Sequence, residues 1–313
     1  AAVVGGALIQ GGSAGGEVHG RTATTPERQP ERPALELALT DRDDAEAREL
    51  REAERLYETG DDEAARRRFD RLLAANPSSI EAAIGAAIAA WPDATIARLR
   101  SLVREAPESA RAHLNLGLAL IAAGKLEDAR RAWREAESVD PDSPAALRAD
   151  DLLHPEMPPG RPQLVLNADL PRAIARLSYA EQLPVLERRA EAGRAGDWLL
   201  YGSVLERHGR RASAQQAYER AFALEPENLA TQTAVAVIRF DKDDPAAAFS
   251  RLGPLAAKHP EAAIVRFHLG LMLLWLPNVA EAREQLRVAV EAAPGGFYAR
   301  EARRILARLE GVE

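Results

Sequence analysis

Prolines recur at a fixed interval in two parts of this 313-residue chain. Pro107 and Pro141 are 34 residues apart, and the same interval separates Pro226, Pro260 and Pro294. A proline cannot continue a helix, because it lacks the backbone N–H and its ring clashes with the preceding turn. The equal spacing therefore predicts a tandem repeat of about 34 residues in which each unit ends at its proline.

The unit at residues 110–143, ARAHLNLGLALIAAGKLEDARRAWREAESVDPDS, shows what a repeat contains. Its pattern predicts two helices with a turn at Gly124, because glycine tolerates the left-handed backbone of a helix end. Gly117 and Ala129 are small enough to let the two helices approach closely, and Trp133 fills the space beside them. One such pair cannot bury its own apolar face, so the unit requires neighbours.

The spacing of these residues resembles the tetratricopeptide repeat. In the unit at 110–143 the signature positions hold Leu116, Gly117, Gly124, Ala129, Trp133, Ala136 and Pro141. The unit that ends at Pro226 is a second strong match, with Trp198, Tyr201, Gly202, Leu205, Gly209, Ala214, Tyr218 and Ala221. The resemblance covers roughly residues 45–310. It implies an all-α fold, a right-handed α-solenoid of about six to seven helix pairs closed by a C-terminal capping helix.

Breaks in the repeat divide the chain into four predicted regions. Residues 1–33 form a flexible N-terminal segment, 34–153 an N-terminal array, 154–171 a proline-rich linker, and 172–313 a C-terminal array with the capping helix. Within these, residues 78–107 form a shortened pair and 144–153 a single helix. A degenerate pair begins at Arg172 and precedes the repeat that starts at Ala195, with Pro184 in the first turn of its second helix, where proline is tolerated.

The proline-rich stretch 154–171 has a second interpretation. It contains the short extended run QLVLN, and this run can occupy the groove of the solenoid instead of only linking the arrays. Val165 and Leu166 would then be its apolar anchors.

The composition excludes several classes of function. A net charge of −7 argues against general affinity for nucleic acid, and the absence of cysteine excludes disulfides, thiolate metal sites and a cysteine nucleophile. Phosphate-loop, nucleophile-elbow and helical zinc-protease motifs are absent. Each of the six histidines is expected to be a surface or capping residue: His19, His113, His154, His208, His259 and His268. The sequence therefore predicts a protein that is not an enzyme and has no metal or cofactor.

The N-terminal residues 1–9, AAVVGGALI, are apolar but far shorter than the ~20 residues that span a bilayer. They are read either as the remainder of a signal or membrane anchor or as an end without function. The first reading favours a membrane-attached or exported protein with 11–33 as a tether. The second leaves a cytoplasmic location open.

The family resemblance implies binding of a peptide or protein in a concave groove lined by the first helix of each pair. The groove positions carried over to this sequence are Leu114, Leu118, Ile121, Leu199, Val237, Phe240, Phe267, Leu271, Leu274 and Trp275. Exposed, such an apolar surface would mark a partner site. The alternative is that these side chains are covered within the chain, by repeat packing or by residues 154–171.

The leading hypothesis is a non-enzymatic protein–protein interaction scaffold, tethered by its N-terminus, that binds an unidentified peptide or protein through its concave face. One alternative is a structural subunit of a larger membrane-associated or extracellular assembly. Another is an assembly factor outside the cytoplasm. The oligomeric state is left open.

Overall fold

The computed structural model describes residues 32–39, 42–276 and 278–310. In this part of the chain all regular secondary structure is helical. The predicted N-terminal segment 1–33 lies outside the described residues, apart from Arg32 and Pro33. No described helix is both long enough and apolar enough to cross a membrane.

Seven helices form the first array. They are α1 (Ala45–Glu58), α2 (Asp62–Ala75), α3 (Ile80–Ile88), α4 (Thr95–Glu105), α5 (Ala110–Ala122), α6 (Leu126–Val139) and α7 (Pro144–Leu153). The first six pack as three successive pairs, and α7 packs against both helices of the third pair. The shortened pair and the single helix therefore lie where the sequence predicts them.

Nine helices form the second array. They are α8 (Arg172–Ala175), α9 (Tyr179–Glu191), α10 (Ala195–Arg207), α11 (Arg211–Leu224), α12 (Leu229–Val237), α13 (Ala246–Lys258), α14 (Ala263–Leu273), α15 (Val279–Ala292) and α16 (Phe297–Glu310). The helices from α10 to α15 form three pairs, and α16 packs on α14 and α15. The predicted all-α solenoid of about six to seven pairs with a capping helix is thus confirmed.

Each of the prolines Pro107 and Pro141 is followed two residues later by the N-cap of the next helix. Ser109 follows Pro107, and its hydroxyl accepts the backbone N–H of Ala112. Ser143 follows Pro141 in the same way and accepts the N–H of Ala146 at 3.2 Å. The proline ends one helix and the serine satisfies an N–H that the next helix leaves unpaired, so the repeat boundary is encoded locally.

Close approach within a pair depends on a missing side chain. A Cβ added to Gly117 in α5 would lie 2.2 Å from Nε1 of Trp133 in α6. In the second array a Cβ on Gly202 would lie 2.4 Å from the ring of Tyr218. These helices therefore pack as predicted, with a small residue on one helix facing a large residue on the other.

The prediction of a degenerate pair that begins at Arg172 is wrong in two details. Its first helix, α8, has only four residues, and Pro184 lies inside α9 at the sixth position instead of in the first turn. The reason is a capping box, in which Ser178 and Glu181 exchange hydrogen bonds and start α9 at Tyr179. The proline is tolerated although it leaves the carbonyl of Ala180 without its helical N–H partner.

Candidate functional site

The first helices of successive pairs lie side by side in both arrays. In the first array α3 contacts both α1 and α5, and in the second α12 contacts both α10 and α14. We call the surface formed by α1, α3 and α5, and the one formed by α10, α12 and α14, the inner faces. The predicted groove residues lie on these helices or in the turns that follow them.

Most of these predicted residues are covered within the chain. Leu114, Leu118, Leu199, Val237, Phe240 and Phe267 are buried. Leu271, Leu274 and Trp275 are half-buried, and Ile121 keeps 40% of its surface. The structure distributes them over several apolar clusters and does not gather them into one patch. Partner contact at these positions stays a prediction.

Residues 160–167 cover the inner face of the second array and form no helix. The backbone N–H of Leu164 donates to the Glu206 carboxylate at 3.1 Å. The next N–H, that of Val165, donates to Nε2 of His268 at 2.9 Å. Upstream, the Trp275 indole donates to the carbonyl of Gly160 at 3.1 Å. Side chains of α10, of α14 and of the turn after α14 thus hold the backbone of this segment.

The aliphatic side chains of the segment complete the contact. Leu164 is 6% exposed and packs in the cluster that contains Leu199. Val165 packs against the cluster that contains Phe267, as Leu271 does. This part of the structure corresponds to the second interpretation from sequence, in which residues from 154–171 occupy the groove.

A second non-helical segment, residues 32–39, covers the inner face of the first array. The Tyr57 hydroxyl donates to the carbonyl of Pro33 at 2.6 Å. Asn115 binds both backbone groups of Glu36, accepting its N–H at 3.1 Å and donating to its carbonyl at 2.8 Å. Glu54 accepts the N–H of Leu37 at 2.9 Å. Both inner faces therefore bind an extended segment through its main chain.

Burial shifts the pKa of both acceptors in the second array. Nδ1 of His268 lies 2.7 Å from the carbonyl of Ile264, so Nδ1 carries the proton and Nε2 accepts. Desolvation lowers the pKa of His268 to about 4, which keeps the ring neutral at pH 7. Desolvation raises the pKa of Glu206, although its hydrogen bonds from Tyr218 and Leu164 act in the opposite direction.

A buried ionic cluster fixes the start of the segment at 160–167. Arg161 donates to both oxygens of Asp150, at 2.7 and 2.9 Å, and to the carbonyl of Phe240 at 3.3 Å. Lys242, whose side chain is fully buried, lies 2.6 Å from Asp151 and 3.3 Å from Asp150. These charges tie α7 to the segment and to the loop after α12.

Two of the groups that hold the second segment, Trp275 and Glu206, lie at groove positions that the resemblance gave, whereas Tyr57, Asn115 and His268 were not predicted. His268 was expected at the surface, yet it is fully buried, and His113 is only 7% exposed. A signal was available in the repeat itself. His268 and Asn115 each lie two residues before the signature glycine of their unit, Gly270 or Gly117, and so occupy the same place on the inner face.

The chemistry of the inner faces is that of main-chain recognition. Carboxylate, amide and imidazole acceptors meet peptide N–H groups, and tyrosine, tryptophan and asparagine donors meet carbonyls. Among residues 32–39, 42–276 and 278–310, no group of His, Asp or Glu side chains has the arrangement of a metal site.

Helix pairs stacked so that their first helices share one face define the class of helical-repeat solenoids. Three stretches match family models described as the tetratricopeptide repeat: residues 92–150, 198–228 and 233–297. The chain is a tetratricopeptide-repeat protein, and proteins of this fold serve as protein–protein interaction scaffolds. No curated protein matches it in sequence.

Solved structures resemble the chain in fold. YrrB, described as a TPR protein with an unusual peptide-binding site, is 17% identical over 66% of this chain and 97% of its own, with a TM-score of 0.33. TTC0263, described as a thermophilic TPR protein in Thermus thermophilus, is 19% identical over 84% of this chain and all of its own, with a TM-score of 0.27. PilF of Pseudomonas aeruginosa is 15% identical over 83% of this chain and 97% of its own, with a TM-score of 0.27.

Proposed function

We propose that this chain is a non-enzymatic interaction scaffold that binds an extended segment of a partner protein across its inner faces. The observation that supports this most directly is the pair of extended segments already held there through main-chain hydrogen bonds. Groups such as Asn115 and His268 recognise backbone that any extended peptide presents, and the apolar clusters that bury Leu35 and Leu164 add side-chain selectivity.

The test is site-specific photo-crosslinking in cells of the native organism. A photoreactive phenylalanine replaces Ile121, which is 40% exposed at the end of α5, and separately replaces Leu274, half-buried after α14. The matched control is Leu224, 49% exposed on the second helix α11. We expect a partner to crosslink at the inner-face positions and not at Leu224. Equal crosslinking at all three positions, or none at the inner face, would contradict the proposal.

An N-terminal tether belongs to the same proposal. It is motivated by the apolar residues 1–9 and the polar, glycine-rich sequence that follows, all outside the described residues. Membrane fractions from the native organism should contain the protein, and removal of residues 1–9 should shift it to the soluble fraction. Identical distributions of both forms would remove the tether from the proposal.

A structural subunit is the second candidate, and one observation favours it. Phe222 and Leu224 on α11 are exposed, at 37% and 49%. In a permanent assembly this outer surface would be covered. Sedimentation of the wild type and of a Phe222→Ser, Leu224→Ser variant tests this second candidate. If the protein assembles through this outer surface, the variant should sediment with a lower mass than the wild type.

A further inference from the structure

The two groove-bound segments share one sequence pattern. The dipeptide Arg-Pro occurs at two places in the chain, and each is followed by leucine at the second and fourth positions after the proline. The two copies are RPALEL at 32–37 and RPQLVL at 161–166. We call this pattern the RPxLxL motif.

The structure treats the two motifs alike. Neither lies in a helix, the proline is buried in both, and the residue after it is exposed in both. The first leucine of each motif, Leu35 or Leu164, is buried to the same degree, with 6% of its surface exposed. Each arginine meets an aspartate, Arg32 with Asp62 and Arg161 with Asp150.

The receiving side chains also correspond. Asn115 accepts the N–H of Glu36, the fifth residue of the first motif, and His268 accepts the N–H of Val165, the fifth residue of the second. Asn115 also donates to the carbonyl four residues before it, and Nδ1 of His268 does the same. Asn115 and His268, at equivalent positions of two repeats, therefore bind the same atom of the two motifs, the backbone N–H of the fifth residue.

A glutamate completes each contact from the first helix of the array's inner face. Glu54 in α1 accepts the N–H of Leu37, the sixth residue of its motif, and Glu206 in α10 accepts that of Leu164, the fourth residue of its motif. Each motif thus spans from the first to the third helix of an inner face. This arrangement resembles a bound ligand, because hydrogen bonds from its main chain to side chains of the repeats and the burial of its first leucine carry the contact.

We propose that the RPxLxL motif is the sequence this solenoid recognises, and that residues 161–166 are an internal copy which a partner segment carrying the motif displaces. The inference rests on the proposed function and names the chemistry of the partner: an extended peptide with arginine, proline and two alternate leucines. Until such a segment arrives, the inner face of the second array is closed by its own chain.

The second array is the one that opens, because the aliphatic side chains of its segment are less buried, and opening then requires Arg161 to leave Asp150. Leu35, Leu37 and Leu39 of the first segment are all buried, whereas in the second only Leu164 is. Val165 and Leu166 keep intermediate exposure. Non-helical residues flank the second motif on both sides, from 154 to 160 and from 167 to 171, so it can leave without unwinding a helix.

The test is binding of a fluorescent peptide, GRPQLVLNAD with blocked ends, to the full chain. In a Leu164→Ser, Leu166→Ser variant the internal copy loses its leucine side chains while the pockets remain. We expect the peptide to bind this variant at least about tenfold more tightly than wild type, where the tethered copy competes at high effective concentration. A peptide with the same composition in scrambled order should not bind.

Adding His268→Ala to the variant should weaken binding about fivefold, because one hydrogen bond to the peptide is lost. Absence of peptide binding to the folded variant, or equal binding of the scrambled peptide, would overturn the proposal. The crosslinking experiment is independent, since a partner captured at Ile121 without any RPxLxL binding would leave the scaffold function standing and reject only this motif.

A measurement on the wild type decides the case even if the variant does not fold. Hydrogen exchange of the Leu164 and Val165 amides is compared with that of Leu205 in the core of α10. We expect the segment amides to exchange about 100-fold faster, through local opening, and faster again when peptide is added. Exchange of all three amides at the same rate would mean that the segment leaves only on global unfolding, and the proposal would fail.

Discussion

The carboxylate of Asp142, between α6 and α7, accepts the backbone N–H of Ser213 in the first turn of α11 at 3.1 Å. It also accepts the N–H of Ala212 at 2.6 Å. The residue at the N-cap position of α11, Arg210, makes no capping hydrogen bond of its own. A residue of the first array therefore caps a helix of the second, and the negative charge also suits the positive end of the helix dipole.

Asp142→Ala should destabilise the protein by about 1–2 kcal/mol, because two N–H groups of α11 lose their acceptor. The free energy of unfolding in urea measures this. Asp140→Ala is the control, because the Asp140 side chain is exposed and makes no hydrogen bond described in the structure. A loss of the same size in both variants would show that the cap contributes nothing.

Gly117→Ala should cost at least about 2 kcal/mol, because the added methyl would overlap the Trp133 indole and push α5 and α6 apart. Gly196→Ala in α10 is the matched control. A Cβ there has no atom within 4 Å, so the better helix propensity of alanine should stabilise by up to about 1 kcal/mol. Thermal unfolding followed by circular dichroism should shift in opposite directions, and a tolerated Gly117→Ala would refute the packing argument.

Lys242→Met should destabilise by about 3 kcal/mol or more, because Asp151 and Asp150 would keep buried charge with one cation fewer. Lys258→Met tests whether loss of a lysine charge alone matters, since Lys258 is exposed at the end of α13. That control should change stability by no more than about 0.5 kcal/mol. Guanidinium unfolding at fixed ionic strength gives both values, and a neutral Lys242→Met would show that the cluster is dispensable.

Acidification should destabilise the fold through His268. Its pKa is lowered from 6.5 to about 4 by burial, and no charged group contributes to the shift. Between these two values the unfolded chain binds a proton that the folded chain excludes. This part of the stability is complete above pH about 6.5 and is lost as pH falls to about 4, in all on the order of 2–3 kcal/mol.

The measurement is the free energy of unfolding from pH 7 to pH 4, for wild type and for His268→Asn. Asparagine keeps an acceptor for Val165, as Asn115 does for Glu36, but does not titrate. The variant should therefore lose less stability across this interval than wild type. Parallel pH profiles would show that His268 does not titrate between these limits.

The helix pairs were predictable because their signals are local. Ser109 and Ser143 cap helices two residues after a proline, and glycine opposite tryptophan permits close packing within 34 residues. The predicted position of Pro184 in its helix was wrong because another local signal was overlooked. The capping box of Ser178 and Glu181 decided where α9 starts, and a rule based on proline alone overlooks it.

The candidate site was predicted only in outline. Sequence placed Phe267 and Leu271 in the groove, but their exposure depends on what covers them, and Val165 packs against the cluster that contains Phe267. The acceptor His268 was assigned to the surface because a single buried histidine has no sequence pattern of its own. Its equivalence with Asn115 becomes meaningful only when both are seen to bind the same atom of two similar segments.

By itself the sequence determined the repeat, its length and the helix pairs, because caps, turns and small–large contacts act between residues close in the chain. Only the tertiary structure decided where the two RPxLxL motifs lie. Glu36 meets Asn115 across 79 residues and Val165 meets His268 across 103. An extended segment of six residues satisfies its main chain equally well in water, so only the assembled inner face, with acceptors already in place, determines where it binds.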